Sequence, residues 1–218
     1  MTQAIPIGRL LRAGTPGFVV GCRVTQLNSP SFGALVKAPA GQGYEIFGLI
    51  YDIHVDDDGL VRQLVTAEGV DESVINDNRL NRNVPLEMSV LAVGYRQGGQ
   101  ICHLLPPRPP LSLDVILLCD PDEVCQFTAA GRFGYFRHVL RAQDLPVGEV
   151  LAAHVQQAQR AHAAAGDPAW AGRATQELII LLRDDYPTLM QVLGALSDVV
   201  IGEAVASEAT ADQGARII

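Results

Sequence analysis

The stretch "CDPDEVC", residues 119–125, gathers the side chains best suited to chemistry. Asp120, Asp122 and Glu123 follow the apolar run "DVILLC". Carboxylates at the carboxyl end of a strand can hold Mg²⁺ for phosphoester hydrolysis. The same residues also suit a helix start. Asp120 is then the N-cap, Pro121 fills the first turn, and the acids face the positive end of the helix dipole. A second candidate is "GRFGYFRHVLR", residues 131–141, which interleaves Phe133, Tyr135 and Phe136 with Arg132, Arg137 and Arg141. Such a mixture can stack on single-stranded bases. Equally, its rings can anchor helices and leave the arginines at the rim.

Other constellations fall short. His54, His103, His138, His154 and His162 are scattered. His154 and His162 lie eight apart and can share a helix face, but no third metal ligand accompanies them. Cys22, Cys102, Cys119 and Cys125 form no C-x-x-C pair, so they read as small buried hydrophobes. "HVDDDG" fails as a calcium loop: the twelfth position is Val65 counted from His54 and Ala67 counted from Asp56, where a bidentate Glu is required. Lys37, the only lysine, stands in "LVKAPA" with no glycine-rich loop before it, which excludes a P-loop. The pair "GQG" at 41–43 has Ile46 where a dinucleotide fingerprint needs its third glycine. No cofactor and no metal site is expected.

Something must position these residues. The chain has 218 residues, 48% hydrophobic and 18% charged, enough for a buried core. Its net charge of −8 and pI near 5.0 argue against a broad electrostatic grip on nucleic acid, so direct binding should be weak or absent. The longest apolar runs fall far short of the ~20 residues of a membrane helix. "MTQAIPIGRLLRAG" lacks a long apolar run, and a cytoplasmic location is expected.

Residues 1–120 read as strands. "AIPIGRLLRAG", "GFVVGCRVTQL", "FGALVKAPA" and "GYEIFGLIYDI" are short, apolar and separated by glycine turns. "HVDDDGLVRQLVTAE" has a hairpin pattern, as does "LEMSVLAVGYRQGGQICHLLPP" with "QGGQ" at its tip. "PPRPP" at 106–110 is a stiff break, and "LSLDVILLC" is a last strand or the lead into a helix. From 121 the period becomes helical. "PVGEVLAAHVQQAQRAHAAAG" ends at Gly166. A second helix has Asp167 as N-cap and Pro168 at its first position, and a third restarts at Pro187. The expected fold is α+β: a small antiparallel β-barrel over 1–120, a helical region over 121–206, and a fraying tail over 207–218. Gly48, in the middle of "GYEIFGLIYDI", is expected where a strand bends to close the barrel.

The pattern "IPIGRLLRAGTPGFVVGCRV", "FGALVKAP" and "GYEIFGLIYDI" resembles a HAS barrel, the small β-barrel shared by HerA-type DNA translocases and rotary ATP synthase subunits. The resemblance spans residues 3–106 and rests on strands and glycines, not on a catalytic motif. The ATPase domain that follows the barrel in those families has no counterpart here, so no nucleotide site carries over. In such proteins the barrel sits at the rim of a ring and serves subunit packing or partner docking. The resemblance therefore implies an adaptor, working with a separate HerA-like ATPase in DNA processing or repair.

Two functions are consistent with the sequence. One is a non-catalytic interaction module that oligomerises or recruits a protein partner. Its contact surface would be Leu189, Val192, Leu193 and Leu196, a 3.6-period stripe on the third helix, with Arg132 and Arg137 as further contact residues. The other is a metal-dependent nuclease or phosphohydrolase using Asp120, Asp122 and Glu123.

Overall fold

The computed structural model describes residues 4–23, 30–55, 71–73 and 85–198. The chain divides into two compact units, Met1–Asp120 and Pro121–Ile218. The expected "HVDDDGLVRQLVTAE" hairpin beyond Val55 and the tail over 207–218 lie outside the described residues.

Among the described residues the first unit holds seven strands: β1 (Ile5–Gly14), β2 (Gly17–Arg23), β3 (Leu35–Pro39), β4 (Tyr44–Val55), β5 (Pro85–Gln97), β6 (Gln100–Cys102) and β7 (Val115–Leu118). Their order is β2-β1-β7-β3-β4-β5-β6, and a β2–β5 pairing closes six of them into a ring. Every pairing is antiparallel. The "DVILLC" segment is thus a strand: β7 enters between β1 and β3, with Leu118 opposite both Ile5 and Val36. β5 works hardest. One edge runs along β4, while the other pairs with β2 over Pro85–Leu91 and with β6 over Tyr95–Gln97.

Alternation fills the ring. Phe18, Val20, Ile46, Ile50, Met88, Val90 and Ile116, from four of the strands, belong to one buried cluster to which β1 and β3 also contribute. Each such side chain stabilises the fold by about 1.5–3 kcal/mol. β4 is buried on both faces, since the intervening Phe47 and Leu49 are also fully shielded.

Gly48 stands opposite Ala92 between two register shifts, which leave Val93 extra on β5 and Tyr51 extra on β4. Bulges of this kind increase twist and bend a strand. The two backbones come so close that a Cβ at Gly48 would lie 2.4 Å from Val90 Cγ1 and 2.9 Å from the Leu91 carbonyl oxygen. No side chain fits there.

The second unit contains five helices among the described residues. They are α1 (Pro121–Ala129), α2 (Phe136–Arg141), α3 (Val147–Ala164), α4 (Trp170–Leu181) and α5 over 186–198. A short 3₁₀ turn, Ala130–Phe133, joins the first two. Gly166, at φ +89°, ends α3 as expected. α4 departs from expectation. It starts at Trp170 rather than Pro168; the Asp167 carboxylate accepts from the Ala169 N–H, just before the helix, and is also paired with Arg173. α5 has a genuine cap: Asp185 accepts from the Thr188 N–H at 3.2 Å and from its hydroxyl at 2.7 Å.

Gly48→Val is expected to destabilise the fold by about 3 kcal/mol through overpacking. Gly48→Ala combined with Val90→Ala should lose less than the two single variants together, because Val90 Cγ1 is the nearest clash. Denaturant titration measures both; an unchanged midpoint for Gly48→Val would contradict the close approach.

Candidate functional site

Asp122 and Glu123 lie in the first turn of α1, and Asp120 immediately precedes that helix. Carboxylates at this end offset the positive pole of the helix dipole, which accounts for them without a ligand. The Cys125 thiol, one turn on, is pushed up by burial first and then by Asp122 and Asp167. A thiol held protonated is a poor nucleophile.

The aromatic–arginine segment turns its rings inward. Tyr135 and Phe136 are fully buried. Their ring centroids are 4.6 Å apart, Phe127 approaches Tyr135 at 5.3 Å, and Phe133 stacks on Phe136 at 5.5 Å. Phe133 also meets Trp170 at 5.6 Å. Rings spent on one another do not offer faces to bases. Arg132 is exposed on a left-handed stretch in which Gly131, Arg132 and Phe133 all have positive φ, whereas Arg137 is half-buried and engaged within the fold.

The apolar stripe of α5 is divided. Val192 and Leu196 are buried, while Leu189 and Leu193 are partly so. The N-terminal turn of α3 packs on this helix: a Cβ at Gly148 would lie 3.3 Å from the Gln191 carbonyl oxygen and 3.6 Å from Ala195 Cβ. The stripe therefore spends part of its surface inside the chain.

The polar clusters that form are ones the sequence motifs did not assemble. His154 and His162 do share the buried face of α3, each with its own hydroxyl. Tyr135 Oη and His154 Nε2 share a hydrogen bond of 3.0 Å, and burial holds the Tyr135 phenol well above its ordinary range. Thr128 donates its hydroxyl to the Val124 carbonyl at 2.7 Å and so accepts from His162 Nε2–H at 2.7 Å. His162 Nδ1 then faces Asp167 Oδ2 at 3.7 Å, and Asp167 pairs through both oxygens with Arg173. The ring of His162 lies flat on Trp170, 4.7 Å between centroids.

Hydroxyl, imidazole and carboxylate in series are the parts of a nucleophilic triad. Here Thr128 is 1% exposed and its proton is committed to Val124, so no substrate reaches it. The series acts instead as a tie between α1, α3 and the start of α4. The spacing of His154 and His162 was the advance sign of it; Thr128 belongs to no motif, and Asp167 reads from the sequence only as a helix N-cap.

Two further clusters stand on the outer wall of the barrel. Glu45 is held between Lys37 at 3.5 Å and Arg96 at 2.9 Å, and the Arg96 guanidinium lies over the Phe47 ring. Glu87 pairs with Arg12 at 3.1 Å, with His54 Nε2 at 3.9 Å, while His54 Nδ1 meets Asp52 at 2.8 Å. Cross-strand register sets both: Glu45 is opposite Arg96, and His54 is opposite Glu87. No group of three or more His, Cys, Asp or Glu residues is arranged to hold a metal among the described residues.

Comparison with known proteins finds no matching family model and no matching curated protein.

Burial lowers the His162 pKa from its ordinary 6.5; Asp167 opposes this and Arg173 adds to it. The folded chain thus binds this proton less tightly than the unfolded chain, and the associated stability is lost as pH falls below about 6.5. The Asp167 pKa is lowered chiefly by its hydrogen bond from Arg173, and that contribution is lost at lower pH, below its ordinary 3.8. The melting temperature is expected to fall between pH 7 and pH 5, with a flatter dependence in His162→Gln. An identical slope in the variant would contradict the assignment.

Proposed function

We propose that the chain is a non-catalytic assembly module, an adaptor whose barrel resembles that of HerA-type translocases and docks on a separate ring ATPase engaged in DNA processing. The barrel itself carries this reading. Its ring is closed and aliphatic side chains occupy its interior, so the unit is built to hold surfaces in place. The surface has features to offer. Leu104, Leu105, Leu111 and Leu113 are exposed on the barrel unit, and Ile179, Ile180, Tyr186 and Met190 on the helical unit. Large exposed apolar groups of this kind mark interaction sites when they are contiguous. The acids of α1 support the adaptor over the hydrolase, because a helix start explains them. No described helix is long and apolar enough to cross a membrane. Contact with DNA would come through the partner.

Sedimentation velocity of the full chain with a purified hexameric HerA-like ATPase tests the reading. A faster-sedimenting complex with a Kd of about 1 µM or tighter is expected. Failure to associate, together with Mn²⁺-dependent DNA cleavage that is lost in Asp122→Asn, would overturn it in favour of a hydrolase.

A further inference from the structure

The antiparallel ring brings four connections to one end of the barrel. These are the β1–β2 turn at 14–17, the β3–β4 turn at 39–44, the β5–β6 turn at 97–100, and the 103–114 connection that returns to β7. The last of these forms a strap. It is fastened at one point by Arg108, whose guanidinium lies 5.3 Å over the Tyr44 ring and whose carbonyl accepts from the Tyr44 hydroxyl at 3.5 Å. It is fastened again at Leu113, whose N–H donates to the Leu10 carbonyl at 3.0 Å and whose carbonyl accepts from Arg9 Nη1 at 3.0 Å.

Leu113 is the informative residue. Its φ is +72°, in the left-handed region where glycine is at ease and a branched side chain is strained. Its side chain is 68% exposed, and that of Leu111, two residues earlier in the same turn, is 73% exposed. The turn is closed by backbone and Asp114 hydrogen bonds that involve neither leucine side chain. For folding alone, glycine would serve better at 113. Among the described residues nothing packs over the Leu113 side chain to offset that strain, so a contact outside the chain is where it would be used.

Charge narrows what lies outside. Residues 4–18 and 90–113 carry Arg9, Arg12, Arg96 and Arg108 and no carboxylate, in a chain whose net charge is −8. Arg12 and Arg96 are ion-paired with Glu87 and Glu45. Arg9 and Arg108 have no carboxylate partner among the described residues and flank the exposed leucines. The strap's one acid, Asp114, accepts the Leu111 N–H at 2.8 Å. Two arginines without a carboxylate partner among the described residues fall short of the four to eight basic residues that hold a protein to an anionic membrane. A second copy meeting rim to rim would set like charges together.

We propose that this rim, Leu111 and Leu113 between Arg9 and Arg108, is the docking site for an acidic, leucine-bearing segment of the partner protein. The proposal rests on the adaptor reading and names its contact surface. The partner's apolar side chains cover the two leucines, and its carboxylates reach the two arginines.

The test uses the full chain and a fluorescein-labelled 16-residue amphipathic peptide of leucine and glutamate, read by fluorescence anisotropy. Binding in the range of about 10–100 µM at low salt is expected. It should weaken at least tenfold in Leu113→Gly, whose melting temperature should be unchanged or higher. The same peptide with lysine for glutamate should not bind. Absence of binding, or equal binding by Leu113→Gly, overturns the proposal. So does a dimer of the full chain that Leu113→Gly disperses, or sedimentation with phosphatidylglycerol vesicles that Leu113→Gly abolishes. If Leu113→Gly leaves the complex with the ring ATPase intact, the rim assignment fails and the adaptor reading survives. If the wild-type chain forms no such complex, the adaptor reading fails with it.

Discussion

The close approach of β4 and β5 at Gly48 is the constraint on which the barrel depends. A sheet closes only if its strands bend, and the bend here is made by two bulges on either side of one residue without a side chain. The consequence runs along β5. Its first half can pair with β2 and close the ring, while its second half carries the β6 hairpin and aims the strap back across the barrel end. A flat β4–β5 pair would leave β2 without its second partner. The strap, with its exposed leucines, would then have no frame to hold it. The interior fills as a result of closure, and its aliphatic side chains then stabilise the geometry that created it.

The helical unit is held differently. Beside buried aliphatic side chains such as Val150, Leu151 and Leu178, its centre holds Phe127, Phe133, Tyr135, Phe136 and Trp170 interlocked, with two buried histidines threaded among them. Each histidine pairs through Nε2 with one hydroxyl, and the pairing helps fix which helices can meet. Thr128, His162 and Asp167 have the composition of a catalytic series, but burial, the direction of the Thr128 proton, the 3.7 Å gap from His162 Nδ1 to Asp167 and the pairing of Asp167 with Arg173 separate them from it. Residue types alone do not make a site; access does.

The barrel was legible because it is written in short-range signals. Glycine turns, alternation and the tip "QGGQ" are local properties, and β1 through β6 follow them. "LSLDVILLC" stayed open between strand and helix because its answer depends on two distant strands that leave a slot for β7. The start of α4 was misplaced for a similar reason. Asp167 and Pro168 have the form of a helix start, but 168–169 form a turn, and the Asp167 carboxylate divides between the Ala169 N–H and Arg173. Leu189, Val192, Leu193 and Leu196 were legible as an apolar stripe. Which of them would be buried was not, since that depends on α3 approaching across Gly148. Leu113 could not have been singled out from sequence. A leucine in a proline-rich connection looks ordinary until its backbone is seen to be left-handed and its side chain exposed.

In the proposed function, the chain presents its barrel end to a partner protein. Hydrogen–deuterium exchange of the full chain, free and in the presence of the ring ATPase, addresses it most directly, because it reports where contact occurs without any substitution. The amides of residues 104–114 should slow several-fold on complex formation, with those of α1 unchanged. Unaltered exchange across 104–114 in a complex that has demonstrably formed, with protection confined to the helical unit, would contradict the account.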